Sequence, residues 1–468
     1  MNNEEAWNAL FERYQIVDIV QREGLFRISA PTIKEYREPR LMTKFDFRGQ
    51  LPTSFAENNL SILPVTRGDY IISTIETFQS LEDIPNIAIE EKEIPGDIES
   101  LDFSTITSES MAINCAYATG ILSDFCGEES LLPTAEGRMA SDAFSFQIER
   151  TVPHALPLPV SVENTQIEID GGFEGKTCFL LIEAKNRIYK DFMVRQLYYP
   201  YRKWTQKIKK PVLPIFFQYS NGIFHLRQFE VKDINNYNSL IVVKEKKYRL
   251  KESDCLITFD KLFALLHRVK TLPEPKGVPF PQADSFERII NLCELLYNKE
   301  EDVYTKEVLN YNMSFTGQSD FTRRQVDYYT NASIYLGLVK KVEDASPTAF
   351  VLTDLGLKIL STKKINERQL LFIETIISHQ AFARVLRLYM EKGACPSIEE
   401  IVEIMKTCDL FNVGTEKMFH RRGQTIKAWV EWIIGTVEEE KSNIKPHEYG
   451  LFDMVRDAAD PDFRHYKK

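Results

Sequence analysis

Two neighbouring strings carry residues that could do chemistry. Gln166-Ile167-Glu168-Ile169-Asp170 alternates polar and apolar residues with period two, which puts Glu168 and Asp170 on one face of a predicted strand. A short way on, Cys178-Phe179-Leu180-Leu181-Ile182-Glu183-Ala184-Lys185 is a buried-type apolar run ending in a carboxylate and an ammonium. Glu183 and Lys185 are also two apart and share a face where the strand leaves the core. A carboxylate pair beside a lysine on adjacent strands suits a hard divalent cation. Magnesium keeps several waters and takes one or two protein carboxylates, which Asp170 and Glu183 can supply. The reaction that wants this layout is phosphodiester hydrolysis, with Lys185 orienting or helping to deprotonate the water and offsetting charge growing on the phosphate. The same residues also fit two hairpin strands with solvated charged ends.

The arrangement resembles the PD-(D/E)XK nuclease motif of restriction-endonuclease-like folds. Asp170 takes the aspartate position, Glu183 the second acid and Lys185 the lysine, while Ile169 stands where the name-giving proline would be. The resemblance implies a catalytic set of Asp170, Glu183 and Lys185 with Glu168 nearby, and a magnesium site at Asp170, Glu183 and Ala184. In relatives of this fold a glutamine on the helix after the lysine strand often reaches the site, which singles out Gln196. An acid on the first helix sometimes assists the metal. Here that helix is predicted over 108–125 with Ser108 as N-cap, so Glu109 is the acid, although it also suits the helix dipole.

From Arg187 to Lys210 the chain carries Arg187, Lys190, Arg195, Arg202, Lys203, Lys207, Lys209 and Lys210 against the single acid Asp191, with Tyr198, Tyr199, Tyr201 and Trp204 interleaved. A basic and aromatic segment of this kind reads as a phosphate-tracking surface, with Arg195, Arg202 and Lys203 as DNA contacts. It equally reads as an amphipathic helix with snorkelling lysines. Pro200 is expected to kink or split it. Strands are predicted over 212–219 and 223–230, joined by the tight turn Ser220-Asn221-Gly222.

After a proline-rich linker, Pro273 to Pro281, three helices, a hairpin and a further helix from Thr353 describe a winged helix. Its third helix begins Asp320-Phe321-Thr322-Arg323-Arg324-Gln325, and arginine can pair with guanine and glutamine with adenine. A protein-contact role fits the same elements. A second helical unit follows, with a capping-box start at Ser397-Ile398-Glu399-Glu400 and a long helix from Gly414 to Ile434. That helix carries Arg421 and Arg422 early, as further DNA contacts, and Trp429 and Trp432 on a core face.

The chain has 468 residues and a net charge of −10, which lowers the prior for nucleic-acid binding without excluding it, because affinity follows the charge near the phosphates. Its seven cysteines are scattered and support neither a disulfide framework nor a zinc site. No leader and no membrane-length apolar run is evident, so a cytoplasmic protein is expected.

The N-terminal hundred residues contain a helix over 7–14, a strand at Phe26-Arg27-Ile28 and a charged loop-to-strand segment from Arg37 to Asp46. With Leu63 to Gly68 and Pro133 to Phe146 they look like bacterial type II restriction endonucleases, a likeness that names Arg40, Lys44 and Arg138 as DNA contacts beside solvated loop charges.

The expected architecture is a multidomain α/β (α+β) chain: an N-terminal α+β region (1–100), a mixed-sheet nuclease core (101–270), a winged helix (282–363) and a helix-turn-helix-like unit (364–468). The expected activity is magnesium-dependent, sequence-specific cleavage of double-stranded DNA, with a cognate DNA methyltransferase encoded separately, no membrane partner and room for a homodimer. The alternatives are a non-catalytic winged-helix regulator with a decayed nuclease core and a DNA repair nuclease.

Overall fold

A computed structural model of the chain describes residues 2–81, 87–251, 256–298, 303–313, 320–342 and 345–437, with backbone alone at 311 and 320–324. Among these, the chain is mixed α and β and forms two compact units, one of residues 1–251 with 304–326 and one of 252–303 with 327–468. No described helix is long and apolar enough to cross a membrane.

The first unit is organised by a seven-stranded mixed sheet in the order Ile89–Lys92, Leu240–Leu250, Ile223–Val231, Val212–Ser220, Phe179–Lys185, Gln166–Glu174, Leu132–Ala140. Phe179–Lys185, the lysine strand, lies antiparallel to Gln166–Glu174, the acid strand, and parallel to Val212–Ser220. A parallel pair needs a crossover, supplied here by the helix Arg195–Lys207. Every residue of the lysine strand is buried. Leu180, Ile182 and Ala184 pack with Ala112, Ile113 and Ala116 of the helix Glu109–Ala118, whereas Phe179 and Leu181 pack with Trp204 of the crossover helix. Cover on both faces explains why its sequence is a continuous apolar run instead of an alternation. Asn221 and Gly222 take φ of 50° and 77°, the positive pair that a two-residue hairpin loop requires.

Several expectations are corrected. The helix predicted over 108–125 is two, Glu109–Ala118 and Ile121–Cys126, broken at Gly120 with φ 72°. Ser108 caps the first as expected, accepting from Met111 N. Pro200 does not split the crossover helix, which runs on through it, because buried neighbours Tyr198, Tyr199 and Trp204 lock the helix against the sheet. The segment Arg37–Asp46 contains a short helix, Pro39–Thr43, with Pro39 at its first turn, in place of a strand. The strand Ile89–Lys92 joins the large sheet from upstream of residue 100.

The N-terminal residues build their own core around Trp7, Phe11, Phe55 and Ile72, and it includes Met193 from just before the crossover helix. Backbone bonds tie this part to two small strand pairs, Asp191–Met193 with Phe78–Ser80 and Leu158–Glu163 with Ala143–Ile148: Met193 N to Asp46 O at 2.8 Å and Glu163 N to Val65 O at 2.8 Å.

In the second unit the expected elements occur in order: Phe286–Asn298, the antiparallel hairpin Val339–Lys341 with Phe350–Leu352, Asp354–Ser361 capped by Thr353, Ile398–Lys406 with its capping box, and Glu416–Gly435. The short helix Lys306–Asn312 and the start of Asp320–Tyr335 fall in the first unit. The stretch 273–281 is not a free spacer. Phe280 stacks on Phe382, and Glu274 accepts from Tyr335 Oη at 2.5 Å, so the prolines rigidify a packed segment.

One joint of the first unit is titratable. Asp191 is 4% exposed, accepts from Arg48 N at 2.8 Å through Oδ1, and its Oδ2 has no hydrogen-bond partner. Burial pushes its carboxyl up to about 6, against the pull of Arg48. The folded protein therefore holds this proton where the unfolded chain has lost it, and the group costs stability as pH rises from about 4 to about 6. Asp191→Asn keeps the acceptor for Arg48 N and removes the charge. Its stability gain over wild type should be near zero below pH 4, grow through this window and level off at up to about 3 kcal/mol, read by chemical denaturation across pH. A gain independent of pH would contradict it.

Candidate active site

The open end of the lysine strand delivers Glu183 and Lys185 to one wall of a cavity of about 620 Å³, and the acid strand delivers Glu168 and Asp170 beside them. Pairing between the two strands places Ile182 opposite Gly171, which brings Asp170 level with the next residues of the lysine strand. Asp170 Oδ2 accepts from Ala184 N at 2.8 Å, so the carboxylate is oriented by the backbone of the strand that bears its partners. Lys185 Nζ donates to Glu183 Oε1 at 2.5 Å, and Gln196 Nε2 donates to the same oxygen at 2.5 Å. The period-two reading thus brings Asp170, Glu183 and Lys185 together, and the crossover helix adds Gln196.

Electrostatics explain why these contacts matter. Glu183 and Lys185 are only 6% and 7% exposed. Burial pushes Glu183 well above the usual carboxylate range, against the pull of Lys185. Burial also raises Asp170 and Glu109, again opposed by Lys185. At Lys185 burial works to lower the ammonium, but Glu183, Asp46, Glu109 and Asp170 together hold it well above its ordinary value. The lysine is therefore a donor here, and the acids around it outnumber it.

Asp46 carries no motif and was missed in the sequence. It lines the cavity, accepts from Gln196 Nε2 at 3.1 Å, and sits 3.8 Å from Lys44. Only the packing of the N-terminal core against Met193 puts it there. Glu109, named from its place at a helix start, also lines the cavity. Crowded, partly buried carboxylates with raised proton affinity are a donor set that a hard divalent cation would relieve. Among the described residues no three acidic, cysteine or histidine side chains are already gathered at ligating distance.

The expected DNA contacts divide. Arg195 lines the cavity, half-buried, with Nη1 3.5 Å from Gln166 O. Arg40 and Lys44 line it too, both exposed. Arg138 pairs with Glu168 at 3.2 Å, and Lys203 with Asp142 at 2.7 Å. Arg202 is corrected: it is 6% exposed and donates to Ser145 O, Tyr198 Oη and Ile234 O, out of reach of a phosphate. Tyr198 and Tyr199 are likewise core, because the helix turns its aromatic side to the sheet. Arg422 is corrected for the same reason, being 3% exposed on the face that carries Trp429, while Arg421 is exposed and stacks over Tyr328 at 5.5 Å. The side chains of Arg323 and Arg324 lie outside the described residues, and Gln325 is half-buried.

Three family models match, each described as a domain of unknown function: DUF6996 over residues 4–72, DUF6997 over 73–249 and DUF7226 over 288–438. No curated protein and no solved structure matches the chain. Asp46 and Lys44 fall in the first matched segment, whereas Glu109, Asp170, Glu183, Lys185 and Gln196 fall in the second.

The correction at Arg202 has a measurable consequence. Arg202→Met should destabilise the protein by about 2–4 kcal/mol, because buried acceptors lose a charged donor. The salt dependence of any DNA binding should not change, since no phosphate contact is lost. Thermal melts and binding titrations separate this from a surface role, for which the pattern would be reversed.

Proposed function

We propose that this chain is a magnesium-dependent type II restriction endonuclease that hydrolyses phosphodiester bonds in double-stranded DNA at a specific sequence. The observation that carries the reading is the meeting of Asp170, Glu183 and Lys185 from two adjacent strands with Gln196 from the crossover helix, an arrangement that resembles the PD-(D/E)XK pattern. Asp170 and Glu183, with Ala184 between the strand's two charged residues, would hold the cation. Magnesium bound there supplies Lewis acidity toward the phosphate.

The chain's own residues do the positioning. The Ala184 amide fixes one oxygen of Asp170, and Gln196 and Lys185 both fix Glu183 Oε1, so neither carboxylate is free to swing. Lys185, kept as an ammonium donor by its neighbours, offsets charge developing on the phosphate. The helical elements of 282–437, with Arg421 exposed among them, are the proposed source of sequence recognition. A separately encoded methyltransferase would protect the host's own copies of the site.

A plasmid of known sequence digested in magnesium should yield a fixed fragment ladder, with none in EDTA. Asp170→Ala and Lys185→Ala should each lower the cleavage rate by roughly 10²- to 10³-fold or more, while duplex binding in calcium stays within a few-fold of wild type. Wild-type rates in either variant would refute the assignment. A smear in place of a ladder would point to a nuclease without sequence specificity.

A further inference from the structure

Beside the strand-borne acids, the cavity is lined by residues 30–70, a segment with no nuclease motif that also supplies Glu38 and Asp46. It contributes Lys34, Arg40 and Arg67, all exposed, beside Pro31, Pro39, Pro64 and Tyr70. Of the other cations lining the cavity, Lys44 is paired with Asp46 and Lys185 with Glu183, while Arg195 is half-buried with Nη1 3.5 Å from Gln166 O. Lys34, Arg40 and Arg67 make no ion pair within 4.0 Å among the described residues. The cations that most ease Glu109 are Lys185 and Lys44, and Lys185 is the cation that eases Asp170 and Glu183.

The three are held in place by unrelated local devices that converge. Arg67 sits at the tip of a turn stapled by Thr66, whose Oγ1 accepts from Gly68 N at 3.2 Å and Asp69 N at 3.0 Å. Ala30 N bonds to Gly68 O at 2.7 Å, which fastens the helix Ala30–Lys34 to that same turn. Arg40 is on the helix Pro39–Thr43, anchored by Trp7 Nε1 on Met42 O at 2.9 Å and Asn3 Nδ2 on Leu41 O at 2.8 Å. The whole wall is tied to the crossover helix through Tyr199 Oη on Pro64 O at 3.2 Å. Exposed cations on anchored backbone, in no direct ion pair, at the rim of an acidic cavity form a surface that a polyanion would complement. An acid floor also repels phosphate, so a nucleic acid can enter only if cations flank it.

Resting on the nuclease reading of this site, we propose that residues 30–70 are the phosphate-binding wall of the cleft. Lys34, Arg40 and Arg67 grip the sugar-phosphate backbone of duplex DNA on either side of the phosphate presented to Asp170 and Glu183. The N-terminal segment is then part of the substrate site and independent of base reading, because phosphate contacts position the duplex without specifying sequence.

The test is fluorescence anisotropy of a mixed-sequence duplex oligonucleotide with the full chain in calcium over a series of salt concentrations. Each of Lys34→Gln, Arg40→Gln and Arg67→Gln should make the slope of log affinity against log salt shallower by about 0.9, and the triple variant by about 2.7. Arg22→Gln and Lys232→Gln, at exposed positions outside the cavity, should leave it unchanged. Circular dichroism melts confirm folding, and the single variants decide the matter if the triple one is unstable. An unchanged slope in all three single variants overturns the wall, and the nuclease reading survives that result if wild type still cuts the plasmid. Wild type that binds the duplex without cutting overturns the nuclease reading, while the slopes still judge the wall. Wild type that binds no duplex, or binds the single strand more tightly, overturns the wall.

Discussion

The buried pair of Glu183 and Lys185 is the constraint on which the first unit turns. Both lie at the end of a strand covered on both faces, where an uncompensated charge would cost several kcal/mol. Their mutual contact does not satisfy either group alone, so Gln196 must reach Glu183 from the crossover helix and Asp170 must be close to Lys185. The parallel pairing of Phe179–Lys185 with Val212–Ser220 is what brings that helix back over the strand end. Sheet order, crossover and side-chain network are thus one solution to one electrostatic problem.

That solution is incomplete within the sheet. Asp46 reaches the same cluster from the N-terminal core, and its hydrogen bond from Gln196 closes a chain from Asp46 to Glu183. The boundary between the two matched families, at residues 72 and 73, therefore runs through a single compact unit and through its cavity. Two domains that sequence comparison separates share one site in this chain. The excess of acid over lysine in that site gives a physical reason for a cation, and the unpaired cations that also line it give one for a polyanion.

The distribution of charge reconciles a net charge of −10 with that picture. Much of the basic segment after the lysine strand is structural: Arg202 fastens the crossover helix to backbone carbonyls, and Lys203 and Lys210 are paired with acids. Composition along the chain pointed to this segment because lysine, arginine and aromatic residues alternate there. The exposed, unpaired cations at the cavity are instead dispersed singly among acids and prolines, where no local count of charge stands out.

The elements of the fold were largely legible in the sequence because they are written in local patterns. Period-two alternation marks Gln166–Asp170, an unbroken apolar run marks the doubly covered lysine strand, Asn221-Gly222 marks a hairpin, and Ser108, Thr353 and Ser397 mark helix starts. The pairing of Asp170 with Glu183 and Lys185 was legible too, since adjacent strands and shared faces follow from spacing alone. What tertiary structure decided was everything that depends on which face of an element turns inward. Tyr198, Tyr199, Arg202 and Arg422 carry surface-like or basic signals yet are buried, because a helix face is assigned by what packs on it and not by its composition. Asp46, Lys34 and Arg67 were not singled out by any local signal, and Arg40 was named only through the family likeness. Their meeting with the strand-borne acids depends on contacts between segments more than a hundred residues apart, such as Gln196 with Asp46, 150 residues apart, and Tyr199 with Pro64, 135 apart, and sequence spacing holds no information about separations of that kind.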